Sequence, residues 1–169
     1  MKPKTRSLVI LILIVIVVAA GGVSLFKQIL LLQLENTDQP RTVQMRIDPS
    51  ERFSIFYIHS IHREAVTEEF QADRSGIVLK GVRTTSPAIQ EYYGFQDTKD
   101  FHPLNLKLGA IFIRVGEGEG QGLVVRDRKI YLSEVGKRGD RVRLRVRSVS
   151  MGSYFYSKFF EDGERVGRK

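Results

Sequence analysis

The 169-residue chain contains no cysteine. That absence excludes a disulfide framework, a thiolate metal site, an iron–sulfur cluster, cysteine catalysis and a lipobox lipid anchor. Histidine is scarce, with His59, His62 and His102 the only three. The His59-x-x-His62 spacing suits neighbours on a helix, whereas residues three apart on a strand face opposite ways. No metal and no cofactor are therefore expected. Acid is missing from the start of the chain: no Asp or Glu precedes Glu35. Disorder is excluded by composition, since hydrophobic residues make up 42% and charged residues 27%.

What the start of the chain does have is a long apolar run. Lys2, Lys4 and Arg6 precede an apolar or small stretch from Ser7 to Phe26. As a helix, Leu8–Phe26 is about 28 Å long at 1.5 Å per residue, close to the roughly 30 Å of a bilayer's hydrocarbon core. The three leading cations place the N-terminus in the cytoplasm and the rest of the chain outside it. Val18-Ala19-Ala20 resembles a signal-peptide exit. Apolar character resumes after Lys27 as Ile29-Leu30-Leu31-Leu32, which favours an uncleaved single-pass anchor over residues 1–34. The formal net charge is +8, of which +4 lies in residues 1–34, so the remaining domain is only mildly basic. No nucleic-acid motif accompanies that charge, and nucleic acid is not an expected partner.

Residues 35–41 are polar, end at Pro40-Arg41 and read as a linker. From 42 to 160 the pattern is all-β. Thr42–Ile47 alternates, and further strands are expected at Phe53–Ser60, Val66–Ala72, Gly76–Thr84, Lys107–Val115, Gly122–Arg126, Lys129–Leu132, Arg141–Val149 and Tyr154–Phe160. Short strands punctuated by Gly, Pro, Asp and Ser predict one small antiparallel sandwich or barrel-like domain. Residues 85–105 show no clear strand pattern but carry Tyr92, Tyr93, Phe95, Phe101 and His102, with room for a helical turn over Pro87–Gly94. Gly116–Gly122 lacks the Walker pattern and reads as a hairpin turn. Residues 161–169 read as a flexible tail.

Three constellations are candidates for function. The first is Tyr57, His59, Ser60 and Glu69. If Ser60 pairs with Val66 in a hairpin, Tyr57 lies opposite Glu69 and His59 diagonal to it, within side-chain reach. Glu68 then faces the other way with Ile58 and Phe70. Adjacent strand residues point oppositely, so His59 does not activate Ser60, and no G-x-S-x-G elbow occurs. The second is the loop pair Tyr92 and Tyr93, as part of a lid or pocket. The third is Arg141, Arg143, Arg145 and Arg147, which alternate with Val142, Leu144 and Val146 and form a basic surface suited to anionic headgroups, wall polymers or an acidic partner.

The stretch Phe53-x-Ile55-x-Tyr57-x-His59-Ser60-Ile61-x-Arg63-x-x-Val66-x-Glu68-Glu69-Phe70 resembles the bacterial family designated domain of unknown function 1850. The likeness continues through Gly76–Leu79, Ile113–Gly116, Leu123–Val125 and Ile130–Leu132 and covers most of residues 43–148. Ala65 stands where that family commonly has proline, and Thr85–Tyr93 lacks its glycine-rich, aromatic-led pattern. Family members are typically encoded beside permeases of tripartite ATP-independent periplasmic (TRAP) transporters with TAXI-type binding proteins. The resemblance implies a non-catalytic accessory role at the cytoplasmic membrane, with a TRAP-TAXI permease or its solute-binding protein as partner. A small-ligand-binding module built on the Tyr57/His59/Glu69 face is the alternative reading, and a cell-surface hydrolase stands third.

Overall fold

The computed structural model describes residues 21–116 and 120–158. These fall into two compact units, Leu30–Arg147 and a small one made of residues 21–29 with 148–158. The larger unit holds two antiparallel sheets that do not close into a barrel, so of the two all-β forms expected it is the sandwich that is found. One sheet has four strands in the order β2-β1-β10-β7: β1 (Gln28–Asn36), β2 (Thr42–Ile47), β10 (Arg141–Ser150) and β7 (Ile111–Arg114). The other has six in the order β6-β5-β4-β3-β8-β9: β3 (Arg52–Ile58), β4 (Ala65–Asp73), β5 (Gly76–Arg83), β6 (Phe101–Leu108), β8 (Gln121–Val125) and β9 (Arg128–Tyr131). A short helix α1 (Pro87–Tyr92) lies between β5 and β6.

Alternation within strands decides what faces inward. Leu30, Leu32 and Leu34 of β1 pair with Ile47, Met45 and Val43 of β2, and Val142 and Leu144 of β10 pair with Ile113 and Ile111 of β7. Across the sandwich stand Phe53, Ile55, Phe70, Ile77, Leu123, Val125 and Ile130, and both sets form one core. Phe53 and Phe70, directly paired across β3 and β4, stack with ring centroids 5.4 Å apart. Leu32, Leu34, Val142 and Leu144 are wholly buried, each stabilising the fold by roughly 1.5–3 kcal/mol through removal of apolar area from water.

Several expectations need correction. The apolar residues after Lys27 do not lengthen a helix: Gln28–Asn36 is a strand of the core. Residues 35–41 are accordingly no tether, because Glu35 and Asn36 end β1 and 37–41 turn the chain into β2. That turn is pegged by Asn36. Its Nδ2 donates to Val135 O (3.2 Å) and Asp140 Oδ2 (2.8 Å), and its Oδ1 accepts from the Asp38 and Gln39 amides, so this buried amide is satisfied on both ends. Lys107–Val115 is two strands, β6 and β7, in different sheets. The glycine-rich segment is no hairpin, since β7 and β8 also belong to different sheets and the chain crosses the sandwich there; Glu117–Glu119 lie outside the described residues.

In the small unit, residues 21–26 are helical. The strand expected at Tyr154–Phe160 is not found over its described part, 154–158: Met151–Tyr156 forms a helix, α2, whose first turn is capped by Ser150 Oγ accepting from the Ser153 amide (3.1 Å), and residues 159 and 160 lie outside the described residues. Met151 donates its amide to Lys27 O (2.9 Å). Among the described residues no helix is long and apolar enough to cross a membrane. Most of the expected anchor, residues 1–20, and the expected tail, 161–169, lie outside them.

Candidate functional site

The β3–β4 hairpin sets the geometry of the first constellation. The turn after Ile58 closes with His59 and Glu64 sharing an amide–carbonyl bond (2.8 Å) and Arg63 donating its amide to His59 O (2.7 Å). Arg63 adopts a left-handed φ of 56°. This loop pairs Tyr57 with Val66, not with Glu69, and Ser54 with Glu69. The register is shifted by an odd number of residues from the expected one, and an odd shift exchanges faces. Glu68, not Glu69, therefore shares the inner face with Tyr57.

Three polar atoms meet there. The Tyr57 hydroxyl lies 3.2 Å from Glu68 Oε1, the Tyr93 hydroxyl 2.9 Å from the same oxygen, and the two hydroxyls are 2.6 Å apart. Tyr93 reaches this point because α1 packs Ile89 onto Val66 and Val82, with Tyr93 and Phe95 beside them. Burial is the main cause that drives the Tyr57 phenol far above its ordinary value, followed by its bond to Tyr93 and the Glu68 charge. Burial likewise pushes Tyr93 up to about 12, against the opposing bond from Tyr57. Both phenols stay protonated at neutral pH, and their two protons serve three short contacts: Tyr93 donates to the Glu68 carboxylate, and Tyr57 donates to the Tyr93 oxygen or to that same carboxylate. The cluster is closed upon itself, which makes it a peg for α1 rather than an open acid–base pair.

The remaining candidates disperse. Glu69 lies on the outer face of the six-stranded sheet and accepts from Arg83 Nη2 (2.9 Å). Ser60 is exposed in the turn. Among the described residues no hydrogen bond joins His59 to Ser60 or to Glu69. His59 instead accepts from the His62 amide at Nδ1 (3.4 Å) and stacks on the His62 ring. Its ring meets the edge of Tyr92 at 4.9 Å, and Tyr92 meets Tyr93. The aromatic chain continues from Tyr93 through Phe95 to His102, whose ring lies 3.9 Å from that of Phe95. His102 donates at Nδ1 to the Asp97 carboxylate (3.2 Å), while its buried Nε2 meets no partner among the described residues. The loop tyrosines thus do join Tyr57, and His59 joins them only through ring contacts. Glu68 and His102 were not singled out from the sequence, because only the true register brings Glu68 to the Tyr57 face. Among the described residues no three His, Cys, Asp or Glu side chains stand close enough to hold a metal ion.

The arginine row is richer than its sequence suggests. Pairing places Arg46 opposite Leu31 and Gln44 opposite Gln33, and Arg114 opposite Arg141 and Phe112 opposite Arg143. The outer face of the four-stranded sheet thereby gathers six arginines, at 46, 114, 141, 143, 145 and 147. Among the described residues of these strands Glu35 is its one acid. Arg143 and Arg145 donate to Glu35 Oε2 (2.7 and 3.1 Å), and Arg145 also donates to Gln33. The Arg143 bond outweighs burial and holds the Glu35 carboxyl below its usual range, with Arg143, Arg145 and Arg147 charges adding to it. Burial, then the neighbouring Arg143, lower Arg145, with Glu35 opposing. A shallow 340 Å³ depression on the other sheet is lined by residues that include Arg52, Ser54, Thr67, Glu69 and Arg126.

No family model, no curated protein and no solved structure matches the chain.

Proposed function

We propose that the chain is a membrane-anchored, extracytoplasmic accessory protein that acts by binding, in association with a TRAP-TAXI solute transporter. The transporter class comes from the family resemblance around Tyr57–Phe70. The observation that carries the anchored reading is the short distance between the apolar run and the core: β1 begins at Gln28, two residues after Phe26. A chain reaches at most about 3.6 Å per residue, so a span ending near Phe26 keeps the sandwich at the lipid surface. Confinement of that kind raises the effective concentration toward a membrane partner without any strong contact. The closed, half-buried Tyr57–Glu68–Tyr93 cluster favours a structural use of these polar groups, and hence binding over catalysis.

Two measurements test this. A periplasm-dependent reporter fused after Lys169 is expected to be active, and activity only of a cytoplasm-dependent reporter overturns the topology. The tagged full-length chain is expected to carry the neighbouring permease or its solute-binding protein through detergent purification. Recovery of neither, after crosslinking in intact cells, removes the transporter assignment.

A further inference from the structure

We propose that the arginine-bearing outer face of the four-stranded sheet is a docking surface for anionic phospholipid headgroups of the membrane that holds the anchor. The proposal rests on the anchored reading given above. Its own ground is the register, which turns four arginines in one strand into a two-dimensional array of six spread over β2, β10 and β7 with one acid among them.

Three features point to a phosphate-bearing surface. The guanidinium group is planar and matches phosphate oxygens with two parallel donors, which an ammonium cannot do. Arg143 and Arg145 are not free to sweep through solvent, because Glu35 and Gln33 hold them, and Arg143 Nε is buried without a partner. Those two guanidinium groups are pre-positioned between Arg141 and Arg147, both exposed. The third feature is Phe112, 60% exposed on the edge strand β7 and paired with Arg143 of the cationic array. An exposed aromatic at the rim of an arginine array is costly in water but matches the boundary between headgroups and acyl chains.

Charge complementarity selects this occupant, and so does position. β1 is the strand that follows the apolar run, and Gln33 and Glu35 on it touch the arginines. Along a strand at about 3.3 Å per residue, Gln33 lies within roughly 25 Å of Phe26. Anionic lipid acts over about a Debye length, near 8–10 Å, and the short connection confines this face to within a few such lengths of the bilayer. The outer face of the other sheet lacks this character, with Arg83 matched by Glu69 and Lys107 by Asp73.

The native chain has no cysteine, so a single introduced thiol reports cleanly. Full-length protein is placed in nanodiscs of phosphatidylcholine alone or with phosphatidylglycerol. A polarity-sensitive label is attached at Gln44→Cys on the arginine face or at Arg52→Cys on the opposite face. Phosphatidylglycerol is expected to shield the label at 44 from an aqueous quencher, with the docked-to-undocked ratio rising about fivefold for each arginine engaged, and to leave the label at 52 unchanged. High salt is expected to reverse the shielding. Arg141→Glu with Arg147→Glu, two exposed changes checked for folding by circular dichroism, is expected to abolish it. Equal exposure at 44 in both lipids overturns the proposal, as does shielding that survives the double charge reversal. Shielding produced by added poly-glutamate but not by phosphatidylglycerol also overturns it and gives the face to an acidic protein. Failure of the full-length chain to enter phosphatidylcholine nanodiscs is a different result, which defeats the anchor itself.

Discussion

The two sheets are built on the same alternating pattern and treat their outer faces in opposite ways. The six-stranded sheet neutralises itself. Arg83 meets Glu69 at 2.9 Å and Lys107 meets Asp73 at 3.0 Å. Its aromatics lie flat on glycine: Phe56 covers Gly122, and Phe101 covers Gly81, where an added Cβ would stand 2.4 Å from the ring. Lys129 sits over Phe56 and Tyr131 at 4.4 and 4.7 Å. Among the described residues the four-stranded sheet leaves its cations without an acid partner except at Glu35. Self-satisfied polar surface needs no partner, whereas crowded like charge carries a standing electrostatic cost that an anion relieves. The difference teaches where to look for a binding face: in the sheet that has not paired its own charges.

The strongest way to break this comparison is from inside. Leu32→Ala in β1 removes a fully buried side chain and is expected to cost about 2–5 kcal/mol in denaturant unfolding. If β1 were part of a helix outside the core, the change would be nearly silent. A finer contrast uses adjacent residues on opposite faces. Glu68→Ala removes the carboxylate acceptor from the half-buried pair of hydroxyls and is expected to cost about 1–3 kcal/mol. Glu69→Ala loses an exposed ion pair and is expected to cost under about 1 kcal/mol. The reverse order would show the hairpin register to be wrong.

The phenols sharpen the same contrast through pH. The folded values of Tyr57 and Tyr93 lie above the ordinary tyrosine value, so their contribution is intact below about pH 10. Above it the unfolded chain loses protons that the folded chain keeps, and stability falls as pH rises toward 12 and beyond. Ultraviolet titration is expected to show two of the six tyrosines ionising only as the protein unfolds. Tyr93→Phe is expected to flatten the decline. The smallest effect belongs to Glu35, whose folded value is depressed. Its contribution is present above the ordinary glutamate value, near pH 4.5, and is lost as pH falls through the lower folded value. Glu35→Gln is expected to lessen the loss of melting temperature on acidification and to leave the alkaline limb unchanged.

Alternation made most of the sheet residues legible in the sequence: β2, β3, β4, β5, β8, β9 and β10 fall where period-two patterns stand, and a helical turn falls at Pro87. β1 was hidden because Ile29–Leu32 is apolar at every position and continues a longer apolar run, so periodicity could not separate a two-sided buried strand from a membrane helix. Tyr154–Phe160 misled for the same reason. The site was less legible than the fold. Parity within one strand is local information, but register depends on the turn, and Arg63 in a left-handed conformation is not signalled by its side chain. A register three positions away from the expected one exchanged Glu69 for Glu68. The arginines at 46 and 114 were likewise invisible as neighbours of the 141–147 row, since strand adjacency is set by the whole topology.

β1 and β10 lie side by side at the centre of their sheet, yet Gln33 and the Arg145 that bonds it are 112 positions apart. A ribosome therefore releases the leucine-rich ribbon long before its eventual neighbour has been made. Closure across such a separation is entropically slow. During that wait Leu30, Leu32 and Leu34 have only the β2 hairpin for company. Biosynthesis of this sheet is thus a race between late arrival of one ribbon and misplacement of the other, and the order of the strands along the chain sets its length.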